Sequence, residues 1–444
     1  MKDFTVGKES SLIFYFAVPL LLGNVFQQSY TIIESFIVGN YLGKESLGAV
    51  GAAFPLIFLL ISLVIGIGSG FSIVIAQYFG AKDLEKVKLA IDTTYIVLFF
   101  ASILTMVTGL LFSNSFFHLI KLPHEIIPYA TLYFNIFIAG IISMFGFNGT
   151  NAILRGLGDS KTPLYFLIIS TLINIALDFI FILVFHWGLG SIAVATVIAQ
   201  TGAFGTAVIY LNKNHKIIRI SLFRLKFDRD VFLKSLKIGL PSGIQQALVA
   251  MGMMALYRIV NDFGTNAVAA YSVATRIDTF ATLPAMNFSI ALSSFVGQNI
   301  GAGKNERVKK GMISTFMMIS AISIITSIIA VLAGKEMMSF FTPDVQVISI
   351  GADYLMIVGA FYLLFSTIFV FNGVFRGSGD TLIPMFITLV ALWLVRIPVS
   401  YLLSQKFGLK GIWWGIPAGW TVGTVFSAVY YNMGRWKLKS IIRH

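Results

Sequence analysis

Long apolar stretches dominate this chain of 444 residues, and short polar connections separate them. Each stretch is close to the length of about 20 residues that an α-helix needs to cross a bilayer. The pattern therefore predicts an all-α integral membrane protein with twelve transmembrane helices. Their approximate limits are 12–39, 48–78, 90–112, 127–153, 163–185, 189–211, 238–260, 267–297, 311–332, 349–374, 384–404 and 410–432.

Composition supports the membrane assignment. Hydrophobic residues make up 57% of the chain and charged residues only 11%, whereas soluble domains carry about 25% charged residues. In a soluble protein, the formal charge of +13 would suggest nucleic acid as a partner. Here most of the basic residues lie in the connections between the predicted spans. The absence of cysteine excludes disulfides and thiolate metal sites. We expect the lipid bilayer as a partner, with no nucleic acid and no cofactor.

The distribution of Lys and Arg predicts the orientation. With the N-terminus inside, 24 of the 32 basic residues fall on inside segments and 5 on outside loops. Basic loops stay in the cytoplasm, so we expect both termini to be cytoplasmic in a multi-pass protein of the cell inner (cytoplasmic) membrane. We predict a first lobe at 1–211, a basic linker at 212–237, a second lobe at 238–432 and a basic tail at 433–444.

The chain contains an internal repeat with a constant offset of 221 residues. AQYFGAKDLEKVK at 76–88 matches GQNIGAGKNERVK at 297–309, RGLGD at 155–159 matches RGSGD at 376–380, and Tyr133 matches Tyr354. Each repeat holds six predicted spans, an even number, so both copies insert in the same orientation. Parallel repeats of this kind indicate a transporter with two six-helix lobes.

No motif predicts an enzyme. GQNIGAGKN at 297–305 differs from a phosphate-binding loop, because Gln298 stands where a glycine is required and Asn305 follows the lysine. The five histidines are scattered, and no nucleophile–base pair or nucleotide site is apparent. Transport would then be driven by an ion gradient.

The first half carries acids inside apolar helices, which are functional-site candidates by default. Asn174 and Asp178 are four residues apart and so lie on one helix face, as do Tyr30 and Glu34. Counted from the predicted helix ends, six side chains with oxygen atoms fall in one layer: Tyr30, Glu34, Tyr133, Asn174, Asp178 and Thr196. Two carboxylates in a low-dielectric layer require a bound proton or a cation such as Na⁺, which Glu34, Asn174, Asp178 and Thr196 would hold.

Structural roles are the alternative for each residue. Glu34 could reach the interface by snorkelling, and Asp178 could cap a backbone group. The second half lacks the acid layer, because Val395 and Val399 stand at the positions of Asn174 and Asp178. Four other polar residues there are candidates for lining a substrate cleft, or for ion pairs within the lobe: Gln245, Gln246, Arg276 and Asp278.

Together these features resemble the multidrug and toxic compound extrusion (MATE) family over essentially the whole chain. The resemblance rests on the two six-helix repeats, the RGxGD turns at Arg155 and Arg376, the glycine-containing loops at Gly80 and Gly301, and NIALD at 174–178. It implies a V-shaped transporter that exports organic, often cationic compounds in exchange for H⁺ or Na⁺. It also implies a cation site at the six residues of the first-half layer and a helix-bending role for Pro19.

Glu34 departs from the family pattern, which has Asp at this position, and the departure leaves the choice of coupling ion open. A lipid-linked oligosaccharide flippase of the same broad fold is the alternative function. The acids of the first lobe argue against it, since a cleft that binds pyrophosphate should be cationic. An ion channel is disfavoured because two unequal lobes offer no symmetric pore. We expect a monomer.

Overall fold

The computed structural model describes residues 2–119, 122–214, 219 and 224–442. Within these ranges the chain is helical and contains no β-strand. Part of the predicted linker, 215–218 and 220–223, the end of the predicted tail, 443–444, and Lys121 of a predicted outside loop lie outside the described residues.

Within the described residues, twelve long helical segments follow one another, and two of them consist of two pieces. The first six are α1 (Glu9–Ile37), α2 (Gly43–Gly80), α3 (Leu84–Leu119), α4 (Ile127–Ala139 and Ile141–Gly156), α5 (Lys161–Phe179) and α6 (Gly190–Asn214). The second six are α7 (Arg229–Asn261), α8 (Thr265–Gly301), α9 (Asn305–Leu332), α10 (Val345–Gly359 and Tyr362–Ser378), α11 (Leu382–Phe407) and α12 (Leu409–Met433). A short helix, Gly334–Ser339, separates α9 from α10.

The predicted all-α membrane fold is confirmed. Within the described residues, nine helices are long and apolar enough to cross a bilayer, and the two bent pairs α4 and α10 raise the number to eleven. The remaining segment, α12, forms a helix of 25 residues but is not in this set. Several helices run beyond the predicted spans, as α9 does by beginning at Asn305, because a helix can continue past the apolar region that the pattern detects.

The sequence pattern did not reveal the bends in α4 and α10, which measure 53° and 50°. In α4 the bend falls at Gly140, where a Cβ atom would lie 2.2 Å from Cγ2 of Val197. Only a residue without a side chain allows α6 to approach this closely. The hydrophobic pattern is continuous across the bend and therefore predicts one straight span.

The backbone carries the same repeat as the sequence. Three pairs of residues have positive φ at the same offset of 221: Gly43 and Gly264, Lys82 and Gly303, and Gly158 and Gly379. Positive φ is uncommon and favours glycine. Its recurrence at matching positions shows that the two halves share turn geometry as well as helix order.

The chain forms two compact units, which exchange the first parts of their first helices. Unit 1 comprises Met1–Lys2 and Leu22–Gly243, and unit 2 comprises Asp3–Leu21 and Ile244–His444. The beginning of α1 therefore belongs to unit 2, and the beginning of α7 belongs to unit 1. The two changes occur at nearly the same repeat position, each two to three residues after a proline, Pro19 or Pro241.

Glycines let helix backbones meet within each unit. In unit 1, a Cβ at Gly66 of α2 would lie 2.4 Å from Cα of Gly243 in α7. In unit 2, four glycines at every fourth position of α12 face α11 and α10: Gly411, Gly415, Gly419 and Gly423. A Cβ at Gly415 would lie 2.0 Å from Oγ of Ser400, and one at Gly419 would lie 2.9 Å from Cβ of Arg396. Small residues at this spacing are typical of close helix packing in membranes.

The N-terminal residues of unit 2 bind the end of α8 and the beginning of α9. The backbone N–H of Phe4 donates to Oε1 of Gln298 across 2.8 Å, and Nδ2 of Asn299 donates to the Phe4 carbonyl across 3.1 Å. Arg307 donates to the Gly7 carbonyl (2.8 Å) and forms an ion pair with Glu9 (3.0 Å). Phe4 is fully buried. The GQNIGAGKN segment at the end of α8 therefore binds the chain's own N-terminal residues.

Candidate functional site

The six residues predicted for the first-half layer lie together in unit 1. Nδ2 of Asn174, on α5, donates to the hydroxyl of Tyr30 on α1 across 2.9 Å. The same amide donates to Oγ1 of Thr196 on α6 across 3.3 Å. The hydroxyl of Thr196 in turn donates a hydrogen bond to the carbonyl of Ile192 across 3.0 Å. Asn174 thus connects three helices through its donor atoms.

Glu34 extends this network to a fourth helix. The hydroxyl of Tyr133, on α4, donates to Oε1 of Glu34 across 3.4 Å. Tyr133 is 6% exposed, and Glu34 is half-buried. The carboxyl group of Glu34 on α1 is therefore tied to α4 by the phenol group of Tyr133.

Asp178 lies one helical turn after Asn174 and is fully buried. Neither of its carboxylate oxygens has a hydrogen-bond partner among the described residues, and neither does Oδ1 of Asn174. Carboxylate and amide oxygens can only accept hydrogen bonds or bind cations. Burial without such a partner is costly, so these three oxygens fit a proton or a cation.

The helices that carry the two acids both change geometry just beyond them. Residues Val38–Leu42 form a π-helical turn after Glu34, and residues Ile180–Val184 form another after Asp178. Single π turns within helices occur frequently at functional sites, because they re-aim the side chains around them. No sequence signal marked either turn.

The charge of this cluster limits what it can bind. Glu34 and Asp178 act on each other electrostatically, and the other four members are neutral. Within the described part of the chain, no group of three or more His, Cys, Asp or Glu could hold a metal ion. Two carboxylates with neutral oxygen donors suit one monovalent cation or a proton better than a transition metal.

The four polar candidates of the second half lie in different surroundings in unit 2. Gln245 is 4% exposed and donates to Oγ1 of Thr388 across 2.7 Å, while its Oε1 accepts a hydrogen bond from Arg376 across 2.7 Å. Its amide is thus used within the helix bundle. Gln246 and Asp278 are half-buried, and Arg276 is exposed.

Asp278 has neighbours that the sequence analysis did not assign to it. Its electrostatic environment includes Tyr354 and Tyr362 on the two pieces of α10 and Arg396 on α11. Neither Oδ1 of Asp278 nor the hydroxyl of Tyr362 has a hydrogen-bond partner among the described residues. The repeat offset had paired Tyr354 with Tyr133 and could have suggested this neighbourhood. No comparable signal identified Tyr362, because Tyr is common throughout the chain.

Unit 2 also contains an open cavity of about 540 Å³. Drug-sized ligands occupy cavities of roughly 300–1,000 Å³ with apolar walls and a few polar groups. The walls fit that description, with two methionines, two tyrosines and three other polar residues: Met253, Met254, Tyr257, Arg258, Asn261, Tyr271 and Thr275.

Comparison with known proteins identifies relatives of the whole chain. A family model described as MatE matches twice, over residues 19–180 and 241–402. The chain is 36% identical over 437 residues to the probable multidrug resistance protein YoeA of Bacillus subtilis (strain 168), covering 96% of this chain and 94% of YoeA. It is 33% identical over 436 residues to the probable multidrug resistance protein YpnP of the same strain, covering 98% and 97% of the two chains.

Solved structures share the fold. An outward-facing conformation of a multidrug resistance MATE family transporter of the MOP superfamily superimposes with a TM-score of 0.92, at 24% identity, over 99% of both chains. A mutant of the Vibrio cholerae MATE transporter VcmN superimposes with a TM-score of 0.90, at 19% identity, over 96% of this chain and 97% of VcmN.

Proposed function

Because the chain belongs to the MatE family of multi-pass membrane transporters, we propose that it is a secondary antiporter that exports small organic compounds, often cationic drugs, in exchange for H⁺ or Na⁺. YoeA and YpnP are both named probable multidrug resistance proteins, which supports an organic export substrate. The coupling ion binds at Glu34 and Asp178, with Tyr30, Tyr133, Asn174 and Thr196 as the surrounding oxygen donors.

One observation carries the proposal. In the part of the chain that the structure describes, no donor reaches either oxygen of the fully buried Asp178 carboxylate or Oδ1 of Asn174, one turn away. A buried ionised carboxylate without a partner is strongly disfavoured. An ion or proton bound there removes that cost, so the empty and the loaded site favour different arrangements of the helices.

Helix α1 can carry this change, since it holds both Glu34 and Pro19. Proline inside a helix removes one backbone hydrogen bond and allows bending. Ion binding at Glu34 then favours one conformation of α1 and lowers the affinity for the organic substrate in that state. By linkage, the substrate lowers ion affinity by the same factor.

The cavity of unit 2 is the proposed substrate site. Its aromatic and methionine walls suit flat organic molecules of varied shape, because methionine side chains adapt to different partners. Gln245, Gln246, Arg276 and Asp278 are not among the residues that line this cavity and stay proposed residues of a wider substrate cleft. The amide of Gln245 is also engaged by Arg376 and Thr388.

Counterflow in proteoliposomes tests the function. Purified protein is reconstituted, ethidium is used as the organic cation, and Na⁺ and pH gradients are imposed separately. We expect at least one gradient to drive ethidium transport, and Asp178→Asn to abolish the driven component because it removes the charge but keeps the shape. Asp262→Asn, at an exposed position after α7, is the matched control.

Two outcomes would contradict the proposal. Ethidium movement that ignores both gradients in the wild type would mean that the protein is not an antiporter for this class of compound. Gradient-driven transport at the wild-type rate in a well-folded Asp178→Asn protein would place the coupling site elsewhere.

A further inference from the structure

The part of α7 that follows Pro241 is joined to two other helices through Gln245. Nε2 of Gln245 donates to Oγ1 of Thr388 across 2.7 Å and to the carbonyl of Pro384 across 3.2 Å, both on α11. Oε1 of Gln245 accepts a hydrogen bond from Nη2 of Arg376, on the second piece of α10, across 2.7 Å. Gln245 is 4% exposed. One buried amide thus uses both its nitrogen and its oxygen to hold α7 in place.

Two further contacts continue this junction along α7. Nε1 of Trp393 donates to the backbone carbonyl of Leu248 across 3.2 Å. Gly252 lies so close to α11 that a Cβ atom there would be 2.4 Å from Cδ2 of Leu392. Trp393 and Leu392 belong to the π-helical segment Val390–Arg396 of α11. The junction, which begins at Gln245, therefore extends over about two turns of α7.

The junction and the cavity of unit 2 lie on opposite faces of α7. Successive residues of an α-helix are about 100° apart around its axis, so Gln245, Leu248 and Gly252 fall within roughly 60° of one another. The residues of α7 that line the cavity centre roughly 180° away from them. These are Met253, Met254, Tyr257, Arg258 and Asn261. One face of α7 is therefore held by α11, and the other forms a wall of the cavity.

The repeat positions of unit 1 carry different side chains. At the offset of 221, Leu167 and Leu172 stand in place of Thr388 and Trp393. There α1 meets α5 through apolar atoms, since a Cβ atom at Gly23 would lie 3.2 Å from Cδ2 of Leu167. A leucine side chain cannot form hydrogen bonds. The helix that is proposed to bend on ion binding, α1, and the helix that forms the cavity wall, α7, thus differ in how they are attached.

We propose that Gln245 is a positioning residue for the substrate cavity of unit 2. Its hydrogen bonds hold α7 where the cavity-lining segment begins, so the wall has the same position in the empty and the occupied cavity. A wall formed in advance binds a ligand without the cost of ordering it. The inference rests on the proposed function, which places the organic substrate in this cavity, and Gln245 acts there through α7.

The first measurement asks whether the junction holds α7. Met251→Cys on α7 and Leu402→Cys on α11 are at exposed positions, and they take two spin labels in a chain without native cysteine. The distribution of distances between the labels is recorded by pulsed electron resonance on the full-length protein in detergent. We expect a single narrow distribution with Gln245 present. Gln245→Leu should broaden it, because leucine makes none of the three hydrogen bonds.

The second measurement asks whether this attachment governs binding. The affinity for ethidium is measured by fluorescence on the unlabelled proteins. We expect Gln245→Leu to weaken it about tenfold, and Thr388→Val to weaken it by a smaller factor. Gln245→Glu keeps an acceptor for Arg376 and should recover part of the affinity. Thr326→Val is the matched control, because the hydroxyl of Thr326 donates to Ile322 within its own helix, α9. It should change neither measurement.

A purely structural role predicts a different result. Gln245→Leu would then lower the unfolding temperature but leave the label distances and the ethidium affinity at their wild-type values, and that result overturns the proposal. If Gln245→Leu does not fold, Thr388→Val and Trp393→Phe each remove one partner of α7 and decide the question in the same way. Wild-type distances and affinity in both of these proteins overturn the proposal as well.

Failure of the proposed function looks different from failure of this inference. If Tyr257→Ala in the cavity wall leaves the ethidium affinity unchanged, the cavity is not the substrate site. The label distances do not depend on ethidium. Distances that Gln245→Leu leaves unchanged would refute the junction, whatever the cavity binds.

Discussion

The side-chain amide of Asn174 donates a hydrogen bond to the hydroxyl of Tyr30 across 2.9 Å and thereby ties α5 to α1. The two residues are 144 positions apart in the chain. The side-chain oxygen of Asn174 has no donor among the described residues. The Nδ2 atom of Asn174 therefore holds the network together, and its Oδ1 atom is available as an ion ligand.

Asn174→Ala should weaken coupling-ion binding more than Tyr30→Phe does. The alanine removes the free oxygen and both donated hydrogen bonds, whereas the phenylalanine removes only the hydroxyl. Loss of a ligand to a charged group is worth about 1.5–3 kcal/mol, or roughly a factor of 10–100 in ion affinity. The affinity for ethidium is measured in detergent as a function of pH and Na⁺ concentration for both variants. An equal effect of the two substitutions would argue against a ligand role for Asn174.

The N-terminal segment should depend on Arg307 for its attachment. Its guanidinium bonds the Phe4 and Gly7 carbonyls and Glu9, and Arg307→Ala leaves these acceptors without that donor. We expect a stability loss of about 1–3 kcal/mol, seen as a lower unfolding temperature and faster proteolysis before α1. Arg307→Lys should recover part of the loss, because lysine keeps the charge but not the forked geometry. Unchanged proteolysis in Arg307→Ala would show that the hydrogen bonds are dispensable.

Asp228 should stabilise the start of α7 in a pH-dependent way. The backbone N–H of Val231 donates to its carboxylate across 2.9 Å, and Lys86 pairs with it at 3.0 Å. These contacts hold the pKa of Asp228 below its ordinary value, the Val231 hydrogen bond contributing most. The ionised form is thus favoured by folding, so the stabilisation is present above a pH of about 4 and is lost as the pH falls through the lowered pKa.

Asp228→Ala should therefore cost about 1 kcal/mol at neutral pH, which is typical for a helix cap. The difference from the wild type should shrink in acid. Thermal unfolding from pH 7 to pH 3 measures it. Asp228→Asn is the control, since asparagine can still cap the helix and should show a smaller deficit. A deficit of constant size across this pH range would rule out the ionised carboxylate as its cause.

The charge bias of the loops should place Lys213 and Lys406 on opposite sides of the membrane. The chain has no cysteine, so a single cysteine can replace either lysine without background, and both positions are exposed. We expect an impermeant maleimide to label Lys406→Cys in intact cells and Lys213→Cys only after permeabilisation. The reverse pattern would invert the proposed orientation.

The sequence predicted the all-helical membrane fold because long apolar runs are a local property of the sequence. Of the twelve predicted spans, nine to eleven are long and apolar enough to cross a bilayer within the described residues. It also predicted which six residues of unit 1 lie together, because the helical period and the predicted helix ends place them in one layer. Their role as an ion site stays a prediction. The sequence did not predict the bend at Gly140, because the bend depends on how closely α6 approaches α4.

Gln245 illustrates a second limit. Its position after Pro241 in an apolar span indicated a cleft residue, yet its amide is engaged by Thr388 and Arg376, which lie far along the chain. The GQNIGAGKN segment also shows that contacts between distant residues are not visible in the sequence. The sequence could exclude a phosphate site there, but not identify the N-terminal segment as its partner, since pairing between residues 294 positions apart leaves no local pattern.

The exchange of helix beginnings has a consequence for biogenesis. During synthesis, Asp3–Leu21 emerges before Leu22–Gly243 but belongs to the unit that is completed later, and unit 1 cannot close until Gly243 has left the ribosome. Six inserted helices are therefore not yet a finished folding unit, and the early half-helix must wait for a partner far downstream. A chain cut within 212–237 would give two fragments, each carrying a helix that completes the other. Such fragments should mature when produced together and be degraded when produced alone.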